Sequence, residues 1–332
     1  MPEHIVMVTD HPWSSFDAEV EALDRAGARL VIAQTGEPQE LIDLARDADA
    51  ILTCFAHVSE AVVQAAEHLQ VIGRYGIGVD NIAVEMATER GILVTNVPSY
   101  CEHEVAEHAL ALLLALARRL TTFDRGVREG DWSLQRGTPI HRVHGQTLGI
   151  VGFGKIGRTL ARKASALGLH VIAHNPREPE AVSVAGAEPV ELRELAQRAD
   201  FVSLHVPLSD ETTHMIDEEF LRTMKPTAFL VNTARGLLVD QAALVTALSE
   251  GWIAGAAADV FSPERLDPTD PLLAAPNLIA TPHVAYYSEE SLVDLGRLAA
   301  ENVADVLSGK LPAAIVNPEV LALERWRHLA RS

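Results

Sequence analysis

The feature that most constrains the fold is an alternation, repeated along the chain, of short apolar runs with longer helical stretches. In the first hundred residues the apolar runs predict five buried parallel strands: His4–Thr9, Arg29–Ala33, Ala50–Thr53, Val71–Arg74 and Ile92–Thr95. Between them the helical period predicts four crossover helices: Phe16–Ala26, Pro38–Asp47, Ser59–Glu67 and Val84–Arg90. This pattern predicts a doubly wound parallel sheet, whose ligand-binding edge lies at the carboxyl ends of the strands.

A second alternating series begins at Thr147 and predicts six further strands: Leu148–Val151, His170–Ala173, Phe201–His205, Ala228–Asn232, Gly255–Asp259 and Asn277–Ala280. Six strands with intervening helices are what a dinucleotide-binding sheet requires. A long helix, Ser288–Leu307, follows this series. We therefore predict an α/β protein with two doubly wound parallel-sheet domains. A Rossmann dinucleotide-binding domain (residues 100–285) is inserted into a flavodoxin-like substrate domain (residues 1–99 and 286–332).

The two series are joined by a predicted long helix, Glu102–Leu120, which is apolar on nearly every side at its centre. A helix with this pattern is expected to be buried on all sides. It therefore predicts packing either between the two domains or in a two-fold interface between subunits, and the second alternative predicts a homodimer.

Charge and composition exclude several classes of function. The net charge of −19 would repel a nucleic-acid backbone and an anionic membrane surface. The longest apolar run, Ala109–Ala117, is too short to cross a membrane, and the stretch Met1–Val8 lacks the basic region and cleavage site of an export signal. Two cysteines, Cys54 and Cys101, cannot form a disulfide framework. We expect a cytoplasmic protein that binds neither nucleic acid nor membranes.

One short histidine motif suggests a metal site and fails on its spacing. His103 and His108 are five residues apart, whereas a zinc pair on one face of a helix needs a spacing of four. No metal is therefore expected.

A glycine-rich turn lies between the first strand of the second series and the helix predicted over Arg158–Leu167. Its residues are Gly152, Phe153, Gly154, Lys155, Ile156 and Gly157. Glycines at this spacing permit a tight turn and close approach of the backbone to a pyrophosphate, which the amino end of the helix attracts. The placement between a strand and a helix predicts a dinucleotide site.

The next strand ends where an acidic residue would usually bind the ribose 2′-hydroxyl. Here the sequence is Asn175-Pro176-Arg177. Asn175 can bind a hydroxyl but does not repel a 2′-phosphate, and Arg177 either pairs with that phosphate or is a solvated surface arginine. The choice between NAD and NADP is therefore open.

Three polar residues follow predicted strand ends later in the chain, namely Arg235, Glu264 and His283. Reduction of a 2-oxo acid requires a cation for the carboxylate, an acid for the carbonyl oxygen, and a group that keeps this acid protonated. Arginine, histidine and glutamate respectively suit these three roles.

These segments together resemble the D-isomer-specific 2-hydroxyacid dehydrogenase family, over essentially Ile5 to Leu321. Besides the glycine-rich turn, the matching stretches are Gly73–Asn81, Met224–Gly236, Asp259–Phe261 and Thr281–His283. The resemblance implies hydride transfer between NAD(P) and C2 of a small 2-hydroxy or 2-oxo acid, with D specificity. It also implies Arg235 as the substrate-orienting arginine, His283 as the acid/base and Glu264 as its partner. The family usually has aspartate where Asn175 stands.

The resemblance further implies which residues contact the ligands. The substrate carboxylate would be held by the backbone around four residues: Gly76, Ile77, Gly78 and Val79. Besides the turn and the segment at Asn175, the cofactor contacts would be Val105, His205, Val206, Pro207, Thr212, Thr233, Ala234, Asp259 and Ala285.

Within the family, the segment Pro282–Ser288 is similar to the branch that includes the C-terminal-binding-protein corepressors. Tyr286 stands there where a tryptophan is often found, and Arg74 matches a substrate-contacting arginine of that branch, although an ordinary ion pair is its alternative. Cys54, Phe55 and Tyr286 are candidates for the substrate pocket wall and are equally suited to core packing. The aromatic side chains of Phe55, Tyr75, Tyr286 and Tyr287 favour an apolar substrate side chain over a phosphorylated one.

Two functions from different classes follow. The first is an enzyme that reversibly reduces a 2-oxo acid. The second is an NAD(P)-sensing scaffold that reports cofactor state to a protein partner through domain closure. The presence of Arg235, Glu264 and His283 favours the enzyme, because a sensor needs only the nucleotide site.

Overall fold

The protein forms two compact units, each built on a parallel sheet. The structure, a computed structural model, describes residues 4–326. Met1–Glu3, which begin the stretch used above to argue against export, lie outside the described residues, as do residues 327–332. One unit comprises the described residues up to Tyr100 and from Ser288 onward, and the other comprises Cys101–Tyr287. The roles of the two units in substrate and dinucleotide binding remain predictions.

The first unit contains a five-stranded sheet in the order β2-β1-β3-β4-β5. Its strands are β1 (His4–Val8), β2 (Ala28–Ile32), β3 (Ala50–Thr53), β4 (Val71–Arg74) and β5 (Leu93–Thr95). The crossover helices are α1 (Asp17–Asp24), α2 (Pro38–Ala45), α3 (Glu60–Ala65) and α4 (Val84–Glu89). All pairings are parallel, and this strand order is that of flavodoxin-like folds, as predicted.

The second unit contains a seven-stranded sheet in the order β12-β11-β10-β9-β6-β7-β8. Its strands are β6 (Thr147–Val151), β7 (His170–His174), β8 (Glu188–Pro189), β9 (Phe201–Leu204), β10 (Phe229–Asn232), β11 (Gly255–Ala258) and β12 (Leu278–Ala280). Its helices are α5 (Glu102–Ala117), α6 (Leu120–Arg128), α7 (Lys155–Ala166), α8 (Pro179–Val184), α9 (Leu192–Arg198), α10 (Glu218–Thr223), α11 (Gln241–Glu250) and α12 (Pro271–Ala274). Counted from β6, this is the Rossmann strand order with one added strand, as predicted.

A last long helix, α13 (Glu289–Leu307), belongs to the first unit and packs against α1 and β4. Its amino end has a reciprocal capping box, in which the side chains of Ser288 and Ser291 each accept the other's backbone N–H. Within the described residues, no helix combines the length and the apolar content that crossing a membrane requires.

The structure corrects three details of the predicted elements. The strand count was wrong by one, because β8 has only two residues and no apolar run. Most helices are shorter at one or both ends than predicted, whereas α7 begins at Lys155 rather than Arg158, directly after Gly154. Helix α5 ends at Ala117 rather than Leu120, because Arg119 has a left-handed backbone (φ 53°) and donates from Nη1 to Ala254 O.

The burial of α5 is one-sided among the described residues. One stripe of this helix packs on α7, β10 and β11 of its own unit. On the other side Ala111 is exposed, and Leu110 and Leu114 are half-buried. The burial on all sides that its apolar pattern predicts therefore stays a prediction, which a partner subunit would have to complete.

Candidate active site

The predicted catalytic residues follow three neighbouring parallel strands and lie at one edge of the seven-stranded sheet. Strands β10, β11 and β12 lie side by side, and their carboxyl ends share an edge. Arg235 follows β10 by three residues, Glu264 lies on the loop after β11, and His283 lies on the loop after β12. The local order of strand and loop therefore places all three groups at the end where parallel sheets bind ligands.

His283 and Glu264 are in direct contact. The Nδ1 atom of His283 lies 2.6 Å from Oε1 of Glu264. The histidine side chain is 23% exposed and the glutamate 46%, so the pair is reachable from solvent. A carboxylate on Nδ1 orients the ring and leaves Nε2 as the nitrogen open to another partner. The ring of Tyr286 stands edge-on to that of His283, with 6.1 Å between centroids.

Asp259 anchors the loop that carries His283. This carboxylate is fully buried, and its two oxygens accept from Val284 N (3.0 Å), Ala285 N (2.8 Å) and the Thr281 hydroxyl (2.5 Å). The backbone N–H of His283, at φ 53°, also donates to Asp259 O at 2.7 Å. The family resemblance implies cofactor contacts for Asp259 and Ala285, which stay predictions. In the structure both residues fix the loop that carries His283 to the end of β11.

The loop after β10 is held by Asn232, which ends that strand. The Asn232 side chain accepts from Ala234 N (3.0 Å) and donates to Arg235 O (2.8 Å). The Arg235 side chain is half-buried, and its Nη1 donates to Ala234 O at 2.8 Å. Gly236 lies so close to the backbone of Phe261 that any side chain there would collide. The loops after β10 and β11 therefore pack directly on each other.

Two features at this edge fit a bound dinucleotide. A side chain at Gly152 would meet His205 O at 2.5 Å, and one at Gly157 would collide with Gly152 O, whereas the space beside Gly154 is open. Gly154 precedes the first residue of α7, so the open space adjoins the backbone amides of a 12-residue helix. Among the described residues, the buried hydroxyl of Thr233 has no hydrogen-bond partner. The glycine-rich turn thus has room for a pyrophosphate, and the Thr233 hydroxyl is available to hydrogen-bond a ligand.

The other predicted cofactor residues have different surroundings. Phe153, within the glycine-rich turn, is buried in the core, and Val105 is buried on α5. Loss of hydration lowers the pKa of His205 to about 4, so its ring, which contacts the Ser203 hydroxyl at 2.9 Å, is neutral at pH 7. Thr212 bonds within its own loop, with its hydroxyl donating to Pro207 O at 2.8 Å.

The segment after β7 has the geometry of a solvent-facing turn. Asn175 is half-buried, and its Nδ2 donates to Glu178 O at 3.4 Å. Pro176 and Arg177 are both exposed. The guanidinium is thus accessible, which is compatible with either of its predicted roles.

Apart from Tyr286, which lies beside His283, the predicted substrate residues lie at the carboxyl edge of the five-stranded sheet. Arg74 ends β4 and is 8% exposed, and Gly76 after it has φ 146°. Among residues 4–326, the amides of Ile77, Gly78 and Val79 donate to no acceptor of the chain. These amides are therefore available to an anion.

Burial modifies two predictions about the substrate pocket, the wall candidate Cys54 and the aromatic residue Tyr75. Cys54 is 2% exposed, and burial raises the pKa of its thiol to about 12, so it is an inert core group. Tyr75 is 1% exposed, and its ring packs edge-on against that of Trp13, with 4.8 Å between the ring centroids. Its inclusion among the aromatic residues of the pocket was therefore wrong. Phe55 and Tyr287 are 40% and 51% exposed.

Sequence reasoning missed the residues that hold these loops. Asp10 accepts from Cys54 N (3.0 Å) and Phe55 N (2.7 Å), and Asn81 bonds Arg74, Cys54 and Ala56. Gln241 likewise bonds the backbone of Ser262, since its Nε2 donates to Ser262 O and its Oε1 accepts from Ser262 N. Asp10 follows a strand end, which is the one signal that could have identified it.

The fold and this edge define a class: an α/β protein with two parallel sheets, one of them in the Rossmann strand order of NAD(P)-dependent oxidoreductases, with a histidine–carboxylate pair at its ligand-binding edge. Comparison with known proteins identifies the family. The model of the D-isomer specific 2-hydroxyacid dehydrogenase NAD-binding domain matches residues 110–285, more than half of the chain. The chain belongs to this family and is an NAD(P)-dependent enzyme acting on a 2-hydroxy or 2-oxo acid.

Individual relatives agree with this assignment. The chain is 44% identical over 286 residues to a glyoxylate reductase of Korarchaeum cryptofilum, covering 85% of this chain and 86% of the relative. D-lactate dehydrogenase from Aquifex aeolicus, solved with NAD and lactic acid, is 28% identical with a TM-score of 0.83, covering 96% and 98% of the two chains. An acyclic imino acid reductase, solved with NADPH and D-Arg, is 27% identical with a TM-score of 0.85, covering 94% and 99%.

Proposed function

We propose that this protein reduces glyoxylate and other short 2-oxo acids, with Arg235, Glu264 and His283 as its catalytic residues. The observation that carries the proposal is the 2.6 Å contact between His283 and Glu264 at the ligand edge of the sheet. Support for the substrate comes from relatives named glyoxylate reductases, which match 85% of the chain or more at 39–44% identity.

Each residue has a defined part in the reduction. Arg235 binds the carboxylate and polarises the carbonyl. When bound, NAD(P)H supplies the hydride that forms the new C–H bond at C2. His283 donates the Nε2 proton to the oxygen, which completes the hydroxyl group. Glu264 contacts Nδ1 and so orients the ring for this transfer. For chiral products we propose D specificity, as in the family.

For the carboxylate we propose a second set of donors in the loop after β4. The amides of Ile77, Gly78 and Val79, which donate to no acceptor among residues 4–326, suit an anionic oxygen. Arg74, at the end of β4, adds a positive charge. Phe55 and Tyr286 are proposed as walls for the substrate side chain.

The test is a panel of glyoxylate, pyruvate, hydroxypyruvate and phenylpyruvate, each measured with NADH and with NADPH. We expect glyoxylate to give the highest kcat/KM. An active protein that prefers phenylpyruvate would contradict the substrate assignment. A protein that binds the cofactor but turns over none of these acids would overturn the proposed function and favour the NAD(P)-sensing scaffold of the corepressor branch.

For the cofactor we propose activity with both NAD and NADP, with NAD slightly favoured by family resemblance. Asn175 lacks the charge with which a carboxylate repels a 2′-phosphate, and Arg177 is exposed two residues later. The variant Asn175→Asp should lower kcat/KM for NADPH by about one to two decades and leave that for NADH largely intact. Complete rejection of NADPH by the parent protein would show that another feature excludes the phosphate.

Two coarser properties are proposed with the function. The partly exposed side of α5, around Leu110, Ala111 and Leu114, is proposed as a homodimer interface, and the protein is proposed to be cytoplasmic. Sedimentation at micromolar concentration should show a dimer. A monomer alone would remove the interface proposal.

A further inference from the structure

Arg74 is a buried cation that has no ion-pair partner among residues 4–326. Its side chain donates from Nε to Asn81 Oδ1 at 3.1 Å and from Nη1 to Tyr75 O. Both acceptors are uncharged, and among residues 4–326 no carboxylate forms an ion pair with this guanidinium. Burial of a lone charge is costly, so buried arginines usually have an anionic partner. The guanidinium thus keeps its full charge inside the protein.

Asn81 is the residue that makes this arrangement possible. It is 9% exposed and uses both ends of its amide. Its oxygen accepts from Arg74, while its Nδ2 donates to Cys54 O (3.1 Å) and Ala56 O (2.9 Å). The side chain therefore links the arginine at the end of β4 to the loop after β3. An aspartate here could accept the same bond from Arg74, but it would neutralise the charge and could not donate to the two carbonyls.

We infer that Asn81 is a positioning residue, which holds Arg74 through a neutral acceptor so that the arginine's charge stays available to the substrate carboxylate. This inference rests on the proposed function, in which Arg74 binds that carboxylate. It assigns to Asn81 an effect on substrate affinity, through the electrostatic state of Arg74, in addition to the bracing of two loops.

The same unit contains a matched control. Asn317 is 1% exposed, accepts from Val94 N (2.8 Å), and donates to Ile92 O (3.0 Å) and the Thr88 hydroxyl (2.9 Å). It therefore braces chain segments as Asn81 does, but it bonds no arginine. Substitutions at Asn317 report what the loss of such a bracing amide does to stability alone.

The experiment compares Asn81→Asp and Asn81→Ala with Asn317→Asp and Asn317→Ala. KM and kcat are measured with glyoxylate, or with whichever acid of the panel has the highest kcat/KM, at saturating cofactor, and Tm is measured for each variant. Since Asn81→Asp keeps an acceptor but neutralises Arg74, we expect its KM to rise about thirtyfold. Asn81→Ala leaves the charge of Arg74 in place but removes the hydrogen bond that positions it, so its KM should rise only about fivefold. Loss of uniform binding leaves kcat nearly unchanged in both.

The outcomes separate charge from bracing. A KM for Asn81→Asp no higher than that for Asn81→Ala would overturn the inference, because the hydrogen bond would then matter more than the charge. Equal effects at Asn317 on KM would also overturn it, since we expect those variants to lower Tm and leave KM within about twofold. If Asn81→Asp does not fold, Asn81→Ala still decides: a KM equal to that of the parent protein contradicts the proposed role.

Two further results distinguish this inference from the function on which it rests. Arg74→Gln should raise KM by at least as much as Asn81→Asp. An unchanged KM in Arg74→Gln, with an active parent protein, would overturn the role of Arg74 and this inference but not the reductase assignment. A parent protein that reduces none of the acids would overturn the reductase assignment itself.

Discussion

The carboxyl edges of the two sheets differ in how their charged residues are placed. On the seven-stranded sheet, His283 and Glu264 are 23% and 46% exposed, and 2.6 Å separates Nδ1 of the histidine from Oε1 of the glutamate. On the five-stranded sheet, Arg74 is 8% exposed, and the acceptors that it bonds among residues 4–326 are neutral. A group that must gain and lose a proton benefits from access to water, because both protonation states must be attainable. A guanidinium is not deprotonated in proteins, so it stays charged without such access, and burial strengthens its attraction for an anion.

The largest effect should come from removing the proton donor. In His283→Asn the ring nitrogen that donates the proton is absent, so kcat for reduction should fall about a thousandfold. Tm should change little, because the side chain is partly exposed. His174→Asn, at the carboxyl end of β7 in the same unit, is the matched control and should retain kcat near that of the parent protein. Comparable activity in His283→Asn would remove the catalytic assignment.

The next effect tests whether Asp259 anchors the catalytic loop. Asp259→Asn would turn an N–H group toward a donor that the carboxylate now accepts, either Ala285 N or the pair of Val284 N and Thr281. We expect a loss of about 2 kcal/mol in the free energy of unfolding and of about a hundredfold in kcat, since His283 would be displaced.

The control for Asp259→Asn is Asp240→Asn. Asp240 caps α11 by accepting from Ala243 N at 3.0 Å, a role that asparagine fills equally well. Urea unfolding and steady-state kinetics should show little change in the control. A loss of stability without a loss of kcat in Asp259→Asn would show that the loop does not depend on this anchor.

A smaller effect is expected from Glu264→Gln. Glutamine has the size of glutamate, but it removes the negative charge 2.6 Å from Nδ1 of His283 and can present an N–H there instead of an oxygen. The ring would then be oriented less well for proton transfer, so kcat for reduction should fall about tenfold, within the usual contribution of such groups. Glu250→Gln, an exposed glutamate of the same unit that bonds Trp252, should leave kcat in place. An unchanged kcat in Glu264→Gln would contradict a functional role for this contact.

The smallest effect concerns a buried acid on the five-stranded side. Burial raises the pKa of Glu19, whose side chain packs against Gly296. The raised pKa in the folded state means that its contribution to stability is present at low pH and is lost as pH rises through that pKa. Glu19→Gln should therefore have a higher Tm than the parent protein at pH 8, and the difference should shrink toward pH 5. Glu21→Gln, an exposed position on the same helix, should show no such trend.

Much of the site could be predicted because its residues follow strand ends, and strands are visible in the apolar pattern. Arg235, Glu264 and His283 each come after such a run, so their common edge follows from a parallel sheet. The bracing residues lack this signal. Asp10 bonds residues 54 and 55, and Asp259 bonds residues 284 and 285. Partners this far apart in the chain show no periodicity, so only the folded backbone reveals them.

The sequence by itself determined the two parallel sheets, their strand orders as a class, the glycine-rich turn, and the placement of Glu264 and His283 after neighbouring strands. These features depend on local patterns of apolar residues, glycines and strand-end groups, which the chain displays without folding. The tertiary structure alone decided that α5 is buried along one stripe, that Tyr75 lies in the core and that Asn81 holds Arg74. Each of these depends on which distant groups meet and how much water they exclude, and those quantities exist only once the sheets and helices have packed.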